Sequence, residues 1–146
     1  MPPSLIPQLK QFITTADTAL LAHTLTVLSI LLTLAPAASF QEVEHDVLQD
    51  VYNVTISPLV TGAGLEALLA FYGSLVEADG QISTRIVPNL IIALDRAAAG
   101  QRSPANVAKS LAQVVKSQPG VAAGTIAEFS KHLRVCFHCS YYNTEK

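Results

Sequence analysis

Two interleaved series of chain breaks, each recurring at about forty residues, limit what this sequence can fold into. The first series is Thr15-Ala16-Asp17, Ser57-Pro58 and Ser103-Pro104. At each, Ser or Asp can accept from the first free amides of a helix, and Pro suits a first helical position. The second series is Pro36, Asp79-Gly80 and Pro119-Gly120, and it falls midway between members of the first. Turns that alternate in this way divide the chain into helix-length pieces taken two at a time.

Between the breaks the apolar residues keep helical spacing. Leu5, Ile6, Leu9, Phe12 and Ile13 follow the pattern i, i+1, i+4, i+7, i+8, and Val107, Ala108, Leu111, Val114 and Val115 repeat it. Leu65, Leu68, Leu69, Tyr72, Leu75 and Val76 form another such face, as do Val87, Leu90, Ile91 and Leu94. Val43, Val47, Val51 and Val54 are β-branched, yet their spacing is that of a helix. The map is a leading helix near 4–14 and three antiparallel pairs, 17–34 with 42–56, 63–77 with 83–98, and 104–117 with 121–134. Pro88 either starts its helix or kinks it. The expected fold is all-α, a HEAT/armadillo-like α-solenoid of about three pairs plus the leading helix, because one pair cannot bury its own apolar face. Leu25, Leu28, Val47, Val51, Leu68, Leu69, Leu90, Leu94, Leu111 and Val114 are the expected core.

Composition agrees with that economy of charge. Only 14% of residues are charged and 50% are hydrophobic, against roughly 25% charged in an ordinary domain. A net charge of −2 excludes a strongly basic nucleic-acid binder. Cys136 and Cys139 are the only cysteines, which excludes a disulfide scaffold. The opening Met1-Pro2-Pro3-Ser4-Leu5-Ile6-Pro7 lacks the basic region of a secretory signal. Thr18–Ala38 is long and uncharged enough to raise a membrane span, but no Lys/Arg cluster flanks it and Thr26, Ser29 and Thr33 form a polar stripe.

Chemical motifs are sparse. His132, Cys136 and Cys139, with His138, could supply zinc ligands, but a strong signature has two Cys pairs and this has one. Gly62-Ala63-Gly64 opens a helix without the strand before it or the Lys-Ser/Thr after it that a phosphate loop needs. Ser and Thr lack a nucleophile-elbow pattern, and His23 and His45 lie on helices without an acid or base role. No catalytic residue, metal or cofactor is expected. Glu42, Glu44, Asp46 and Asp50 form an acidic run that reads as a solvated helix face.

The segment Ser57-Pro58-Leu59-Val60-Thr61-Gly62-Ala63-Gly64-Leu65-Glu66-Ala67-Leu68-Leu69-Ala70-Phe71-Tyr72, ending in Leu75-Val76, resembles that of the cullin-associated neddylation-dissociated proteins, also called TATA-binding-protein-interacting proteins. The similarity runs back through Leu20 to Leu34, Pro36 and Leu48, and forward through Val107-Ala108-Lys109, Val121-Ala122-Ala123 and Phe129, in the family's order. It covers 4–134. The resemblance implies a set of internal HEAT repeats from a non-enzymatic factor that wraps a cullin lacking its ubiquitin-like modifier. Such factors help exchange the substrate receptors of cullin-RING ubiquitin ligases, in the cytoplasm or nucleus. It also implies that the second helix of each pair lines the concave, cullin-facing side, where Asp50, Asn53, Arg85, Asn89 and Arg96 are the candidate contacts.

After Arg134 the family pattern stops, and 135–146 is expected to be a divergent, disordered tail. The apolar opening at Leu5 and Ile6 and the broken pattern after Arg134 predict self-association through the ends of the helix stack. Two other functions fit the sequence less well: a membrane-associated helical protein anchored through 18–38, and a HEAT fragment of a nuclear-transport receptor.

Overall fold

A computed structural model describes residues 5–98 and 100–131, all of whose regular structure is helical, with no strand among them. The candidate zinc ligands His132, Cys136, His138 and Cys139 and the tail 135–146 lie outside the described residues. Helix α1 spans Leu5–Leu9 and passes into a single 3-10 turn, Lys10–Phe12. Helix α2 is Thr18–Leu34, α3 is Pro36–Glu42, α4 is Leu48–Thr55, and α5 is Gly62–Ala78. Helix α6 is Ser83–Arg96 and α7 is Pro104–Ser117, after which residues 122–131 are again helical.

Local chemistry explains most of these starts. The Asp17 carboxylate accepts from the Leu20 amide at 3.0 Å, and the Ser103 hydroxyl accepts from the Asn106 amide at 3.2 Å with Pro104 in the first helical position. Asp79 likewise accepts from the Gln81 amide at 3.0 Å and sets the turn into α6. Ser57 departs from expectation. Its hydroxyl accepts from Leu59, two residues on, and so holds a turn, whereas α5 begins five residues later at Gly62, whose φ of 54° lies in the left-handed region that glycine adopts without cost.

The second helix of the first pair also differs from the map. It begins at Pro36, directly after a one-residue connection at Ala35, rather than at 42. Pro there ends α2 and occupies the first position of α3 at once. Between α3 and α4 the backbone widens into a π turn over Val43–Val47, in which the Leu48 amide bonds to the Val43 carbonyl five residues back. The extra residue brings both Val47 and Leu48 inward. Pro88 sits inside α6 and does not start it.

Packing runs in two ranks. Helix α5 lies between α2 and α7: Gly64 approaches the Thr18 carbonyl at one helix start, and Gly73 approaches the Gln113 side chain on the other flank. Helix α4 packs against α6 in the second rank. Leu25, Leu28, Val47, Val51, Leu68, Leu90, Leu94, Leu111 and Val114 are buried as expected. Leu69 is half-buried instead, because Leu68 takes the inward position and the next residue is turned about 100° away. One contact reaches past the neighbouring pair. The Asn106 amide donates to the carbonyls of Ser57 and Val60, each at 3.0 Å, and the Ser103 amide bonds to the Ile56 carbonyl.

Among the described residues no helix is long and apolar enough to cross a membrane. The polar stripe on α2 has an internal solution, since Thr26, Ser29 and Thr33 each donate to the carbonyl four residues back at 2.9 Å. Leu20, Val27, Ile30 and Leu34 of the same helix are exposed.

Candidate functional site

The second-rank helices α4 and α6 run side by side in the same direction, because one end of the space between them gathers Glu44, His45, Ile82 and Arg85 and the other gathers Asn53, Ile56, Ile92 and Arg96. Gln49 and Asn89 face each other at the middle and line both pockets, one toward each end of the helices. The half toward Arg96 has a volume of about 340 Å³, with Ile56, Ile92, Ala93 and Ala97 as its apolar lining.

Three of the five candidate contact residues meet here: Asn53, Asn89 and Arg96 line the same half, and all three are exposed. Arg85 lies at the opposite end, where its guanidinium donates to the Glu44 carboxylate and bridges the two helices. Asp50 does not belong to the groove. It points to the leading helix and forms an ion pair with Lys10 at 3.8 Å. The acidic run is thus distributed among separate partners, with the Asp46 carboxylate 2.8 Å from His45 Nδ1.

The sequence pattern gave no sign of Tyr52. It occupies an inward-leaning position three residues after Gln49 and lines the groove, and its ring is 3% exposed. Its hydroxyl is buried, and the Asn89 side chain stands beside it at the margin of hydrogen bonding, which favours the ionised form. Burial outweighs that contact and pushes the phenol up to about 12. A tyrosine is apolar along its body, and a pattern of apolar spacing registers only that body.

Across the same helix, Tyr72 of α5 shows the ordinary arrangement. Its hydroxyl lies 2.8 Å from Thr55 Oγ1, which lies 2.7 Å from the Val51 carbonyl, and its ring meets Phe71 edge to face at 5.9 Å. Burial raises this phenol strongly, opposed by the Thr55 hydrogen bond.

Among the described residues no cluster of three His, Cys, Asp or Glu side chains could hold a metal ion. His23 is exposed on α2. The space between α4 and α6 offers amides, the Arg85 and Arg96 guanidiniums, the Glu44 carboxylate, the His45 imidazole and the Tyr52 phenol, which suit recognition by hydrogen bonding and charge. No protein-family model matches the chain, and no curated protein matches it in sequence.

Proposed function

We propose that this chain is a protein-binding helical-repeat segment whose second-rank groove receives a partner, and that the partner is a cullin scaffold. The observation that supports a binding role is the meeting of Asn53, Asn89 and Arg96 on one exposed groove between α4 and α6. Polar groups held by rigid helices recognise a partner surface at small entropic cost. The cullin assignment comes from the resemblance over 4–134, and it places the stacked pairs in a longer α-solenoid that distributes its contacts over many repeats. On this reading the chain acts by binding and assists receptor exchange without chemistry of its own.

The test is a photo-crosslinking residue at position 89 together with Arg96→Glu. The crosslinker should capture unmodified cullin, and the charge reversal should slow association, with the difference shrinking as salt is raised. No capture at position 89 and unchanged association rates would remove the cullin from this groove.

A further inference from the structure

We infer that two copies of this chain associate through α2, the exposed faces of the two helices lying antiparallel across a two-fold axis that passes between Val27 and Ile30. The inference is independent of the binding role given to α4 and α6.

The spacing along α2 calls for a helix on this face. Leu20, His23, Val27, Ile30 and Leu34 recur at alternating steps of three and four residues, the heptad seam of a coiled coil, and all five are exposed, Ile30 at 51% and Leu34 at 77%. They lie on the side away from Leu21, Leu25, Leu28 and Leu32, which are buried in the fold. The helix thus carries two apolar stripes where an amphipathic surface helix has one. The hydroxyls beside the outer stripe are already committed, since Thr26 and Thr33 donate to the carbonyls of Ala22 and Ser29 within the helix.

Charge, or its lack, selects the occupant. Positions flanking such a seam often carry Glu and Lys, which choose the partner and repel wrong ones. Here they are Thr24, Thr26, Leu31 and Thr33, and no Asp, Glu, Lys or Arg occurs from 18 to 41. A charged partner helix would lose hydration with nothing to pair against, and a lipid surface would meet no cationic rim. An identical uncharged helix incurs neither cost. In the antiparallel arrangement Val27 of one copy faces Ile30 of the other, and His23 faces Leu34, each twice over. The contact is therefore self-complementary, as a two-fold interface must be, and the two helix dipoles oppose each other. A parallel pair would instead set the two His23 rings together.

Area sets the strength of the contact. A 17-residue helix is about 25 Å long and about 10 Å across, so two such faces bury less than the roughly 1,200 Å² of a stable complex. The dimer is accordingly weak, exchanging with monomer on the order of 100 μM. Joined in this way, the first ranks of the two copies run in one row, α7, α5, α2, α2, α5, α7, which doubles the length of the helix stack.

The experiment is sedimentation equilibrium of the full chain from about 5 μM to about 500 μM, a range that brackets a contact of this size. The mass should rise from 15.5 kDa toward twice that value and stop. Val27→Glu and Ile30→Lys should each weaken association by about tenfold or more through a buried charge, with the melting temperature unchanged because both positions are exposed. An equimolar mixture of the two variants should associate again, since Glu at 27 then faces Lys at 30 across the axis. A monomer throughout the range overturns the inference, as does full association of either variant alone. A mixture that stays monomeric removes the antiparallel two-fold contact. Masses growing beyond twice the chain would mean that α2 meets a different face of the next copy, and flotation of the monomer with phosphatidylcholine vesicles would make lipid the occupant; either result also overturns it.

Discussion

The two sides of α4 treat the same side-chain chemistry in opposite ways. Toward α5, Tyr72 is fully buried, paired with Thr55 and packed against Phe71. Toward α6, Tyr52 is buried to nearly the same degree, yet its hydroxyl has only a marginal contact with the Asn89 side chain. The first side has satisfied its polar groups and fills its volume with aromatic rings, so it stabilises the fold. The second side retains hydrogen-bonding capacity that the fold does not use.

The largest expected contrast comes from truncating an apolar side chain on each side. Phe71→Ala should cost about 3 to 5 kcal/mol, because the ring is wholly enclosed between ranks. Ile92→Ala, at a half-exposed position on the groove, should cost under about 1 kcal/mol. Urea unfolding of the two variants measures both, and similar losses would mean that the groove is as much core as the α5 side.

Next comes the hydroxyl itself. Tyr72→Phe should destabilise by about 1 kcal/mol through loss of the Thr55 hydrogen bond, whereas Tyr52→Phe should be neutral or slightly stabilising. Thermal unfolding followed by circular dichroism resolves the difference. An equal loss in both variants would show that the Asn89 contact is a full hydrogen bond.

The smallest effect, read just above pH 10, is a pH dependence. The Tyr52 phenol is raised from 10.0 to about 12 on folding, so the unfolded chain gives up its proton first as pH rises. The associated stability is therefore complete below pH 10 and is lost between 10 and about 12, and Tyr72 adds to the slope in the same direction. Urea midpoints on either side of pH 10 should fall with rising pH, and replacing both tyrosines by Phe should flatten the decline.

Much of the helical layout was legible because it depends on local signals. Asp17, Ser103 and Pro104 set helix starts by chemistry confined to one turn, and the apolar spacing of Val43, Val47, Val51 and Val54 identified a buried helical face despite β-branching. Boundaries failed where a residue had two possible uses. Ser57 could cap a helix or hold a turn, and Pro36, a break by its chemistry, ends α2 and opens α3 at once. The groove was legible in part. Asn53, Asn89 and Arg96 are polar positions on second helices, which a sequence reveals, but Asp50 is drawn away by Lys10 on a distant helix. Tyr52 was missed because its significance lies in how weakly its buried hydroxyl is paired, a property of three-dimensional neighbours. The π turn at Val43–Val47 leaves no periodic mark short enough to notice.

The two hydrogen bonds from Asn106 bear on how this chain comes apart. They join α7 to the turn at Ser57 and Val60 across 49 and 46 positions of sequence, bypassing the helices in between. A stack held only by adjacent pairs can fray from an end in steps, each step leaving the remainder intact. Here, release of α7 strips the buried Val60 carbonyl and the part-buried Ser57 carbonyl of their donor at a corner belonging to an earlier pair. Loss of the last unit is thereby felt in the middle of the molecule, and hydrogen exchange at that corner and in α7 should proceed as one cooperative opening.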